Sequence, residues 1–122
     1  MTAFPELRYS WDTSAGHIGR VTLAGDLIHV NADELLEAVT DELAAHPGLR
    51  ELHVDCAQLE VCDSRGLSTL LMLRRRTDSL GLRLHIVNRP HALNRMLDRT
   101  GTTEYLTSDE PQSILRDQET SG

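Results

Sequence analysis

The sequence predicts a small α/β domain: a mixed β-sheet with an N-terminal hairpin, and helices packed mainly on one face. Three observations predict it. Two alternating runs near the start, Leu7 to Trp11 and His17 to Leu23, read as paired strands. Helical and strand patterns then alternate to the end of the chain. The β-α-β-α-β segment from residue 49 onward requires right-handed crossovers and hence parallel strands, which leaves antiparallel pairing to the hairpin. At 122 residues the chain fits one domain, residues 1–122 with a core at about 7–118 and frayed termini.

The elements follow in order. Leu7, Tyr9 and Trp11 alternate with polar residues as a half-buried strand does, and Asp12 to Gly16 supplies turn residues. The second strand ends at Ala24-Gly25-Asp26, where glycine permits a sharp change of direction. From Asn31 to His46 the period becomes helical: Leu35, Leu36, Val39 and Leu43 share a face, and Glu34, Glu37, Asp41 and Glu42 face away. Asn31 or Asp33 caps this helix and Pro47-Gly48 stops it. Leu49 to Cys56 is a strand with Leu52, Val54 and Cys56 on one face, and residues 57–63 form a loop.

A second helix spans about Ser64 to Ser79, with Leu67, Leu70 and Leu71 buried, Leu73 or Arg74 at the edge, and Gly81 after its end. Leu82 to Val87 is the next strand. Pro90 opens a third helix that turns Leu93, Met96 and Leu97 inward and stops at Gly101. A last helix covers Glu110 to Gln118, opened by Ser108 or Asp109 and Pro111. The Glu119 to Gly122 tail frays.

Composition narrows the functional classes. Apolar residues at 39% and charged residues at 25% are ordinary for a soluble globular protein. Phe4, Tyr9, Trp11 and Tyr105 are the only aromatic rings, so stacking platforms for single-stranded nucleic acid are lacking. A net charge of −7 argues against binding a phosphate backbone. Cys56 and Cys62 are too few, and wrongly spaced, for a disulfide framework or a Cys-x-x-Cys site. The start has neither a basic region nor an apolar run, and no segment approaches the ~20 apolar residues needed to cross a bilayer. The expectation is a cytoplasmic protein with no membrane and no direct nucleic-acid partner.

Asp63-Ser64-Arg65-Gly66-Leu67 carries the chemistry. It places a hydroxyl at the mouth of an apolar helix, where free N–H groups and the helix dipole tolerate a phosphate. Asp63 is placed to orient that hydroxyl, or to position a metal ion belonging to an incoming kinase. The plainer reading is that Ser and Asp are favoured N-caps, worth about 1 kcal/mol. Ser68 and Thr69 compete less well, since both lie past the first turn. A nucleophile elbow needs Gly-x-Ser-x-Gly, and here Cys62 stands two before Ser64, so the hydrolase pattern fails on one side.

No metal site is expected. His53 and Asp55 share a strand face, opposite to that of Leu52 and Val54, while His85 and His91 have no matching partners. Cys56 and Cys62 read as small buried hydrophobes. Arg74-Arg75-Arg76 spreads around its helix and reads as a solvated face with Asp78.

Three stretches together resemble the STAS-domain family, and within it the anti-sigma factor antagonists. They are Val21-Thr22-Leu23-Ala24-Gly25-Asp26-Leu27; the block from Leu52 to Leu67, which is similar to the family's strand, loop and Asp-Ser-x-Gly-Leu signature; and Leu82 to Val87 followed by Pro90 and Leu93-x-x-Met96-Leu97-x-x-x-Gly101. The resemblance spans about residues 7–106. It implies a non-catalytic module, without cofactor, that binds a serine-kinase anti-sigma factor of the histidine-kinase-like ATPase type. The unphosphorylated antagonist occupies the kinase and frees the sigma factor. Phosphorylation at the position matching Ser64 releases it, and a metal-dependent serine phosphatase restores it. The implied interface is Asp26, Asp63, Ser64, Arg65 and Gly66. Two positions depart from the family's habit: Ile28 stands where Asp is frequent, and Arg65 where a small residue follows the serine. The alternative is a STAS module acting as a small-ligand sensor or a scaffold in a signalling complex.

Overall fold

The computed structural model describes residues 6–13 and 16–107. Its elements are β1 (Leu7–Asp12), β2 (Ile18–Leu27), α1 (Ala32–Ala45), β3 (Glu51–Cys62), α2 (Ser64–Leu80), β4 (Arg83–Val87), α3 (His91–Thr100) and α4 (Thr103–Thr107). The four strands form one sheet in the order β1-β2-β3-β4. β1 pairs antiparallel with β2, as the hairpin reading expects, while β2–β3 and β3–β4 are parallel.

Strict alternation in β2 divides the molecule into two sides. Val21 pairs with Val54 and Val54 with Ile86, so one face of the sheet is apolar across three strands. Leu35, Val39 and Leu43 of α1, Leu67, Leu70 and Leu73 of α2, and Leu93 and Leu97 of α3 join that face in one buried cluster. Each such leucine contributes roughly 1.5–3 kcal/mol of burial. The opposite face carries Arg20, Glu51, His53, Asp55 and His85, all half-buried.

Several expectations are corrected. Gly25 does not end the second strand. At φ +100° it sits in a bulge beside the Glu6 carbonyl, which a Cβ would strike, and β2 continues to Leu27. β3 likewise runs on to Cys62, pairing Gln58, Leu59, Val61 and Cys62 with Ala24 to Leu27. Exposed Ala57 and Gln58 interrupt its alternation, which is why residues 57–63 read as a loop. The parallel β-α-β-α-β run therefore starts at β2, not at residue 49.

Arg74 is not on a solvated face. It is fully buried, with its Nε 3.0 Å from the Asp78 carboxylate and its guanidinium 5.7 Å over the Tyr105 ring. Tyr105 belongs to α4, a short helix the periodicity did not reveal, so the apolar pattern of α2 had no visible partner for this arginine. Pro90 is the N-cap of α3 rather than a residue of its first turn. Tyr9, on the edge strand β1, is 40% exposed, while Leu7 and Trp11 on either side of it pack against the core. The expected helix at Glu110 to Gln118 lies outside the described residues.

Candidate functional site

The parallel strands β2 and β3 end together at Leu27 and Cys62, and the chain leaves each to enter a helix. Open sheets present such carboxyl ends as binding corners. Here the turn after β2 is stitched by Asn31, whose Oδ1 accepts from Ile28 N at 3.0 Å and whose Nδ2 donates to the Asp26 carbonyl at 2.9 Å. Asn31 occupies the N-cap position of α1, but its side chain holds the turn instead of the helix. Asp63 N donates to the Leu27 carbonyl at 3.2 Å and ties the two exits to each other.

Asp63 is the centre of the corner. Its Oδ1 accepts from Gly66 N at 2.8 Å, capping α2. Its Oδ2 accepts from His29 N at 3.0 Å and lies 3.3 Å from His29 Nδ1, pinning the β2–α1 turn. Burial pushes the Asp63 carboxyl up, but the N–H groups of Gly66 and His29 outweigh it, and the net shift is below the ordinary carboxylate value. Gly66 is buried, and a Cβ there would collide with the Leu27 carbonyl. It is glycine because α2 begins directly against the end of β2.

This seating turns Ser64, the first residue of α2, outward into solvent. Among the described residues no group hydrogen-bonds its hydroxyl; its carbonyl accepts from Ser68 Oγ at 3.1 Å. Thr69 is buried and donates to the Ala32 carbonyl, which withdraws it from any partner. Arg65 reaches across to Asp33 of α1 at 3.2 Å, an exposed pair of little energetic weight.

Asp26, distant in sequence, is brought to the corner as the residue before Leu27. It is half-buried and opposite Val61. Val61, opposite Asp26, and Val30, next to His29 in the turn after β2, are 48% and 65% exposed, so two apolar side chains stand in solvent on these strand exits. His29, Val30, Asp33 and Val61 are the residues that sequence reasoning missed. Val61 carried a signal as an apolar residue within residues read as a loop, and Asp33 as a cap candidate of the first helix; His29 and Val30 carried none.

Other chemistry is limited here. Burial pushes the Cys56 and Cys62 thiols up to about 12 and about 11, so neither is a reactive thiolate at neutral pH. A hollow of about 40 Å³ beside the corner, lined by Leu59, Cys62, Pro90 and Leu93, is far below the ~300 Å³ of a small-molecule pocket. An apolar-lined cleft of about 460 Å³ lies at the other ends of α1 and α2, among Leu43, His46, Arg76 and Leu80. Across the open face, His85 is opposite His53 in the β3–β4 register, which corrects the expectation that it has no partner.

Comparison with known proteins agrees with this architecture. Residues 12–108 match the family model described as "Mlab, STAS domain". No curated protein matches the sequence. Among solved structures, an anti-sigma factor antagonist from Mycobacterium paratuberculosis is similar with a TM-score of 0.68 and 21% identity, covering 99% of this chain and 97% of that one. The anti-sigma factor antagonist SpoIIAA in its unphosphorylated form gives 0.70 and 13%, covering 94% and 98%. The Bacillus cell fate determinant SpoIIAA in its phosphorylated form gives 0.65 and 12%, covering 94% and 100%. At these identities the likeness is one of fold.

Proposed function

The chain belongs to the STAS-domain family, and from that premise we propose that it is an anti-sigma factor antagonist switched by phosphorylation of Ser64. The observation that carries the reading is the outward hydroxyl of Ser64 beside a carboxylate already committed elsewhere. Asp63 spends both oxygens on Gly66 and His29, so it positions the serine without serving it as a base. His29 turns its Nδ1 to the same carboxylate. Ser64 thus lacks the partner a nucleophile requires and is open to a kinase. The module has no catalytic role of its own.

Unphosphorylated, the corner of Asp26, Asp63, Ser64, Arg65, Val30 and Val61 docks on a serine-kinase anti-sigma factor, which releases its sigma factor. Gly66 contributes by seating the helix. A phosphate on Ser64 adds about −1.5 to −2 charges next to Asp63, Asp33 and Asp26. Docked against the kinase it meets like charge and loses water, and the complex parts without refolding. A metal-dependent serine phosphatase removes the group and resets the switch. The similarity in fold to a protein solved both with and without phosphate supports this reading.

Binding of the variants to the kinase tests it. Ser64→Ala is expected to bind as the unmodified protein does, and Ser64→Asp at least about tenfold more weakly, a difference of roughly 1.4 kcal/mol. Equal affinities would refute the switch. A second reading, a STAS module that senses a small ligand or scaffolds a signalling complex, rests on the cleft of about 460 Å³. Ligand-dependent thermal stabilisation without any phosphorylation would favour it.

A further inference from the structure

The open face of the sheet carries a second constellation, built by strand register alone. His53 and His85 lie directly opposite each other on β3 and β4, and Glu51 precedes His53 by two residues, on the same face. The imidazoles meet edge to face with centroids 4.8 Å apart. Both turn Nε2 toward one carboxylate oxygen: Glu51 Oε1 is 3.0 Å from His53 Nε2 and 3.3 Å from His85 Nε2. The three candidate ligand atoms all lie within 4.8 Å of one another. Their side chains are 30%, 21% and 28% exposed, so the cluster is sheltered but reachable.

We propose that Glu51, His53 and His85 bind one zinc-class divalent ion that bridges β3 and β4. Tetrahedral zinc with bonds of about 2.0–2.2 Å sets its ligand atoms roughly 3.3 Å apart. The two Glu51–His separations already match that spacing, and a small rotation of the half-exposed rings closes the third. Two imidazoles and one carboxylate suit zinc, copper or nickel and not magnesium or calcium, whose ligands are all oxygen. Three protein ligands leave a fourth position to water. Two guanidiniums border the cluster, Arg20 opposite His53 and Arg83 opposite Glu51, and an ion must bind in their presence. Arg20 is engaged by Asp55 at 2.9 Å, Asp55 is also held by Asn88, and Arg83, opposite Glu51, is exposed. The cluster sits at the start of β3 and Ser64 follows its far end, roughly 30 Å along the strand direction. The site is therefore independent of the switch.

Calorimetric titration of the purified 122-residue chain with zinc chloride tests it, with Glu51→Gln, His53→Ala, His85→Ala and a control, His46→Ala, which alters a histidine outside the cluster that contacts Glu42 and the Trp11 ring. The expected result is one ion per chain, at least about tenfold weaker in each of the three ligand variants and unchanged in His46→Ala and Ser64→Ala. Cobalt should give the intense visible bands of tetrahedral coordination in the wild type, and magnesium chloride no binding. Circular dichroism identifies a variant that fails to fold. Glu51→Gln, which keeps the side-chain shape, then decides. No zinc binding by the folded wild type, or undiminished binding in the folded ligand variants, overturns the site.

Discussion

Asp63 bears the most structural weight per atom in the corner after β2 and β3, because one carboxylate caps α2 and holds the turn after β2. Its pKa lies below the ordinary carboxylate value. A depressed folded pKa means stability that is fully present above the unfolded value, about pH 4, and lost as pH falls through the lower folded value. Asp63→Asn should therefore cost about 1 kcal/mol at neutral pH. The gap to the wild type should narrow as the solution is acidified. Urea melts of both proteins across that range check the sign; a gap that widens in acid would contradict it. The serine next to Asp63 was legible in the sequence as a capping or acceptor hydroxyl. The histidine that completes its setting was not, since His29 lies 34 positions from Asp63 and no local pattern marks it.

At the scale of elements, the apolar periods of α1, α2 and α3 were readable because each buries one stripe against the same sheet face. What escaped were features decided by distant partners. β3 kept pairing beyond Cys56 because bulged β2 followed it, and a bulge shows in sequence only as broken alternation. Arg74 was misread for the same reason: its pairing with Asp78 is local, but the distant Tyr105 lies over it, and the charge is buried. Removing it should be costly. Arg74→Ala leaves Asp78 without this guanidinium, and an uncompensated buried charge costs about 3–5 kcal/mol. Arg74→Met, which fills the space, should cost more when Asp78 is kept than when Asp78→Asn accompanies it. A double-mutant cycle by chemical denaturation measures that coupling, and additive effects would show that the pair contributes only packing.

The whole molecule separates three tasks in space. One sheet face and its helices supply the core, the carboxyl ends of β2 and β3 present the serine, and the open face gathers the histidines. Among the described residues no helix is long and apolar enough to cross a membrane. The chain already carries a net charge of −7, so a phosphate deepens an acidic surface. The proposed switch by repulsion, without a change of fold, stands or falls on whether Ser64 is modified. Intact-mass spectrometry of the purified protein, after incubation with ATP and extract of its own cells, asks the question most directly. A gain of one phosphate in the wild type, absent in Ser64→Ala, is the predicted result. A phosphate that persists in Ser64→Ala, or no modification under any condition, would contradict it.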